Sequence, residues 1–122
     1  MAFSKHWFEE ARRKGLVIEK YQPLPDDISE KEFQSEVIRV AKRCGWIVHH
    51  HLNSIGSEAG WPDLCLLHTG RAKSLFVELK TNTGPIRHDQ QVIGQAMVQT
   101  GLDWRIWRPA MWSEIVRTLE QP

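Results

Sequence analysis

The stretch GWPDLCLLHTGRAKSLFVELK, residues 60–80, sets the frame for the whole chain. It holds two apolar runs, Leu64–Leu67 and Ser74–Leu79, rich in residues that favour strands. Between them, His68-Thr69-Gly70-Arg71 carries the turn signal, so the two runs are expected to form a hairpin. In an antiparallel pair, opposite residues have position numbers of constant sum. Setting Asp63 opposite Glu78 centres the connection between Gly70 and Arg71, where the turn residues stand. The two carboxylates then face each other, with Cβ atoms ~4.5–5.5 Å apart. Lys80 lies two residues beyond Glu78 and projects from the same face of its strand.

Two facing carboxylates repel unless one takes up a proton or a cation sits beside them. Mg²⁺ suits such a pair, because it binds through one or two carboxylates, keeps waters, and uses phosphate oxygens as further ligands. A cation there would lower the pKa of a bound water and polarise a phosphate ester. Lys80 would hold the attacking water or neutralise charge that develops during reaction. A Glu-x-Lys triplet alone carries little weight, since on an edge strand it is usually a solvated face. Here its neighbours Phe76, Val77 and Leu79 mark an interior strand, where unpaired charge is costly. Asp63 directly follows Trp61-Pro62, and proline is tolerated only where a strand begins.

Upstream, Ser29-Glu30-Lys31-Glu32 opens a helix, with Ser29 as N-cap and Glu32 as its reciprocal capping-box partner. Phe33, Val37, Val40, Ala41 and Cys44 follow at helical spacing, and Gly45 stops the run. Glu30 precedes Phe33 by three residues and Val37 by seven, so it falls on the apolar stripe and is expected to face inward. A helix N-terminal acid held by the dipole is the competing explanation for it. Trp46–His51 is β-rich, and residues 53–60 form a loop. Downstream, residues 81–85 break the chain, Arg87–Thr100 makes a helix closed by Gly101, and Trp104–Trp107 makes a last strand. Residues 110–120 form a terminal helix. Residues 4–14 form a short charged helix, and Tyr21–Asp27, with two prolines, reads as a linker. The expected order after that short helix is α-β-β-β-α-β-α, an α/β domain over 28–122 preceded by a segment of residues 1–27.

The bulk properties fit one domain of 122 residues. At 41% hydrophobic and 25% charged, the composition is that of a globular protein. No apolar run approaches a membrane span, and no signal peptide is visible in the charged N-terminus, so the protein is expected inside the cell. Cys44 and Cys65 form no CxxC pair and are read as free thiols. A net charge of +1 announces no partner, so any basic groove must come from uneven distribution.

Taken together, Glu30, the Gly60-Trp61-Pro62-Asp63 turn, Glu78-Leu79-Lys80 and Gln90 resemble the VRR-NUC domain of virus-type replication-repair nucleases, within the PD-(D/E)XK superfamily. The resemblance runs from about Ile28 to Leu119 and is nearest to stand-alone phage and prophage members. Ser29-Glu30-x-x-Phe33-Gln34 resembles the first-helix signature, and Gly60-x-Pro62-Asp63-Leu64 the G-x-PD-L turn. Gly84 with Gln90 resembles the start of the conserved-glutamine helix, and Trp107-Arg108-Pro109 the end of the last strand.

The resemblance implies a restriction-endonuclease-like core, a mixed central sheet flanked by helices. It implies Glu30, Asp63, Glu78, Lys80 and Gln90 as catalytic residues, and a Mg²⁺ or Mn²⁺ ion held by Asp63, Glu78, Glu30 and the Leu79 backbone carbonyl. The expected activity is DNA endonuclease, acting on branched DNA as Holliday-junction resolvases do, as a homodimer in the cytoplasm of a bacterial or phage-infected cell. A nickase, a flap or restriction-like nuclease, and a catalytically silent DNA-binding module stand as alternatives, because fold and site chemistry do not determine substrate.

Further DNA contacts are expected from His50, Ser54, Ser57, Arg87 and His88, the last two at a helix N-terminus that favours anions. His49-His50-His51 would invite a zinc site, but consecutive strand residues point to opposite faces and cannot all hold one ion. Trp46, Trp104 and Trp107 are assigned to the core, while Trp61 is a candidate to stack on a base.

Overall fold

The computed structural model describes Arg13, residues 23–51 and residues 59–121. The expected helix over residues 4–14, Arg13 apart, therefore lies outside the described residues, as do Ser54 and Ser57.

Helix α1 spans Glu30–Arg43 and begins where expected, with the Ser29 hydroxyl accepting from the Glu32 N–H at 3.1 Å. The reciprocal half of the capping box is different. The Glu32 carboxylate accepts from the Ser29 hydroxyl, at 3.2 Å, rather than from its backbone. The helix buries Phe33, Val37, Val40 and Ala41 on one stripe and ends at Gly45. Three strands follow: β1 over Ile47–His50, β2 over Leu64–His68 and β3 over Lys73–Leu79. Helix α2 spans His88–Gln99, strand β4 Trp104–Trp107, and helix α3 Trp112–Glu120 after a single 3-10 turn at Pro109–Met111.

The strands form one mixed sheet in the order β1-β2-β3-β4, antiparallel except for the parallel β3–β4 pair. A parallel pair needs a long crossover, and α2 supplies it. The β2–β3 register pairs Leu64 with Val77 and Cys65 with Phe76, the register that sets Asp63 opposite Glu78. The connection is a 3-10 turn at Thr69–Arg71 rather than a tight hairpin turn, closed by Ala72 in the left-handed region at φ 51°.

Strand alternation sorts the sheet into two faces. Leu64, Leu66, Leu75, Val77, Leu79 and Trp107 are buried on one face against α1 and α3, with Phe33, Val37, Trp112, Ile115 and Leu119. Each such side chain contributes roughly 1.5–3 kcal/mol on burial. At the far end of this layer, Trp46 donates its indole N–H to the Leu119 carbonyl at 3.0 Å, and Arg71 donates to the carbonyls of Thr118 and Leu119. These donors satisfy the last carbonyls of α3, which lack partners within the helix.

The other face carries Phe76 and Glu78 of β3 with their partners Trp104 and Ile106 of β4, and α2 lies over it. A Cβ on Gly94 would stand 2.1 Å from the Trp104 ring, so glycine is what lets α2 close on β4. Trp46 and Trp107 are buried, as expected for core residues, and Trp104 is half-buried under α2.

Candidate active site

Glu78 stands at the end of β3 on the α2 face, with only 1% of its surface exposed. Burial, and then the nearby Asp63 carboxyl within hydrogen-bonding reach, push its pKa from an ordinary 4.5 up to about 9; Lys80 and Arg87 pull the other way. One of its oxygens, Oε1, accepts from the Gln90 side-chain amide at 3.1 Å. The other, Oε2, is buried and accepts no hydrogen bond from a protein donor. An unsatisfied buried acceptor is costly, and an ionised one more so. Such a group marks a site built for something further.

Each neighbour is held by its own element. Asp63 lies one residue before β2, and its Oδ2 accepts the Leu79 N–H at 2.8 Å. That bond takes the place of a ladder bond at a point where β2 has not yet begun, and it locks the carboxylate beside Glu78. Gln90, 5% exposed, belongs to the first turn of α2, and its Oε1 accepts the Arg87 N–H at 3.0 Å. With both ends of the amide engaged, Gln90 fixes Oε1 of Glu78 and leaves Oε2 to the site. Lys80 follows directly after Leu79; its N–H extends the ladder to the Trp107 carbonyl at 3.0 Å, and its side chain is largely buried. The loop after Lys80 is pinned by Arg108, which donates to the carbonyls of Thr81 and Gly84.

Gly60 joins the two halves of the site. Its φ is +99°, and a Cβ there would lie 2.4 Å from the Asp89 carbonyl oxygen in the first turn of α2. Only glycine combines that backbone with that approach. The Gly60-Trp61-Pro62 turn, which directly precedes Asp63, is thereby docked on the helix that carries Gln90.

The structure brings Asp63, Glu78, Lys80 and Gln90 together and leaves Glu30 apart. Glu30, expected to face inward, is exposed at the first residue of α1. The charges that act on Glu78 are those of Asp63, Lys80 and Arg87, and Glu30 is not one of them. The reason is that α1 buries its stripe only from Phe33 onward. A carboxylate one turn earlier stays in water, where the helix dipole favours it. Among the described residues, no group of three or more His, Cys, Asp or Glu side chains converges as a metal site.

His50 stands opposite Leu64, on the α1 face, and its Nε2 lies 2.9 Å from the Gln34 amide. Asp63 and Glu78 occupy the opposite face. Arg87 and His88 are exposed at the α2 N-terminus, Arg87 paired with Asp89 at 3.2 Å. Trp61 is 46% exposed on the docked turn. The roles of Gly60 and Arg108 were not legible beforehand, since close approach to another element leaves no local pattern in a sequence.

With this geometry in hand, the chain can be set beside known proteins. A solved structure described as a VRR_NUC domain superposes with a TM-score of 0.58 at 24% identity, over 74% of this chain and 91% of that one. The chain has the VRR-NUC fold. No protein-family model and no curated protein matches it. The mixed sheet between helices that the resemblance implied is thus present. Among the described residues, no helix is long and apolar enough to cross a membrane.

Proposed function

We propose that this chain is a divalent-metal-dependent DNA endonuclease that hydrolyses phosphodiester bonds, with Mg²⁺ or Mn²⁺ as cofactor and branched DNA as substrate. The observation that carries the reading is the Asp63–Glu78 pair, with Oε2 of Glu78 buried and no protein donor to it. Left alone, a carboxyl with a pKa of about 9 keeps its proton at neutral pH. A hard cation with oxygen ligands supplies the missing partner of Oε2 and draws Glu78 into its ionised form. Two carboxylates, waters and a substrate phosphate make a sufficient set for Mg²⁺, so the residues present fit the ion. The VRR-NUC fold supports the nuclease reading, and the likeness to the VRR-NUC motifs supports these same residues.

When bound, the cation supplies Lewis acidity and an activated water. The protein's own groups do the rest. Asp63, tied to the Leu79 N–H, and Glu78, tied to Gln90, present fixed oxygens, and the carbonyl of Leu79, which stands between Glu78 and Lys80 in the chain, would be a further ligand. Lys80, beside Glu78, offsets negative charge that develops on the phosphate. Arg87 and His88 at the α2 N-terminus meet the flanking DNA backbone, with Ser54 and Ser57 as further contacts. Glu30, exposed at the α1 N-terminus, stands apart from this pair. The enzyme works as a homodimer on four-way junctions, in the cytoplasm of a bacterial or phage-infected cell.

The test is a cleavage panel of four-way junctions, flaps, duplex and single strands. Cutting is expected with Mg²⁺ or Mn²⁺ and is abolished by EDTA, with junctions preferred. Cutting in EDTA would overturn the mechanism, and equal cutting of every substrate would overturn the junction preference alone.

A further inference from the structure

The β1–β2 register pairs Ile47 with Leu67, His49 with Cys65 and His50 with Leu64. One step further along the same ladder, His51 stands opposite Asp63, and the His51 N–H donates to the Asp63 carbonyl at 2.8 Å. Directly opposed residues of an antiparallel pair present their side chains on the same face. His51 therefore projects on the face of Asp63 and Glu78, while its neighbour His50 projects on the α1 face and engages Gln34. Read across the sheet, His51, Asp63 and Glu78 form one transverse row at adjacent strand positions. Neighbouring strands lie ~4.8 Å apart, so the imidazole stands one strand from Asp63 and two from Glu78.

His51 is half-buried, and among the described residues its imidazole makes no hydrogen bond. It does not join Asp63 and Glu78 in a converging ligand group either. An imidazole at the flank of an acidic pair, with an N–H unspent, offers a donor where a backbone phosphate would meet that pair. Two carboxylates repel a phosphate unless donors flank them, and His51 lies one strand beyond Asp63 while Lys80 lies two residues beyond Glu78. We propose that His51 is a DNA-contacting residue, donating a hydrogen bond from its ring to a non-bridging oxygen of the phosphate beside the Asp63–Glu78 pair. This rests on the nuclease reading above.

The test compares the parent chain with His51→Phe, which keeps the ring volume and loses the donor, and His51→Gln, which keeps a donor. Binding of a duplex and of a four-way junction is measured in Ca²⁺ and in EDTA, and cleavage in Mn²⁺. His51→Phe is expected to weaken binding or slow cleavage by about tenfold, as befits a lost hydrogen bond to a charged group. His51→Gln is expected to recover most of that loss. Repeating the measurement with a neutral methylphosphonate at the contacted phosphate should erase the difference between parent and His51→Phe. A His51→Phe protein that binds and cuts like the parent overturns the proposal, as does a loss that persists on every methylphosphonate position. If the parent never cuts but His51→Phe still weakens binding, the nuclease reading fails and the phosphate contact stands. If the parent neither binds nor cuts, both fail.

Discussion

At the scale of single residues, the chemistry turns on one carboxyl group. The folded state holds a proton on Glu78 up to about pH 9, while the unfolded chain releases it near 4.5. Between those values the folded protein binds more protons than the unfolded one, so stability falls as pH rises. This contribution is full below the unfolded pKa and is lost as pH passes through the folded one. In EDTA, the melting temperature is expected to fall from about pH 5 to about pH 9, and Glu78→Gln, which cannot ionise, should flatten that fall. An equally steep decline in Glu78→Gln would assign the slope to other groups. The same substitution removes a cation ligand, so Glu78→Gln and Asp63→Asn are each expected to abolish cleavage while DNA binding persists. A fully active Asp63→Asn would remove Asp63 from the site.

At the scale of elements, the site is an agreement between β2, β3 and α2, and each contact between them is short. Gly60 sets the distance between the turn before β2 and the helix that carries Gln90. Gly60→Ala forces a Cβ against the Asp89 carbonyl and a left-handed backbone on an alanine. It should cost about 2–4 kcal/mol in urea unfolding. The surviving folded protein should cut at least tenfold more slowly, because displacing catalytic groups by even an ångström is expensive in rate. A Gly60→Ala protein with parental stability and rate would show that the turn's docking does not position Asp63. The hairpin was legible in advance because its arithmetic is local: strand alternation and a turn centre leave one register. The docking of α2 was not, because a glycine chosen for close approach looks like any loop glycine.

At the scale of the whole molecule, cutting both strands of a junction calls for two sites, and the commonest way to present two is a two-fold dimer. The solution mass should therefore be twice that of the chain, with paired nicks across the junction. A monomer leaving single unpaired nicks would overturn the resolvase reading and leave the nuclease reading intact. The amino-acid sequence alone determined the element order, the α1 stripe, the Asp63–Glu78 register and the place of Lys80. All of these follow from periodicities of 3.6 and 2 acting over a few residues. Tertiary structure alone decided that Glu30 stays in water, that Gln90 clamps Oε1 of Glu78, and that His51 rather than His50 shares the face of the carboxylate pair. Those outcomes depend on where a helix meets the edge of a core and on how β1 registers against β2, and neither is encoded within a single element. The hairpin of residues 60–80 could be read before it was seen; what surrounds its two acids could not.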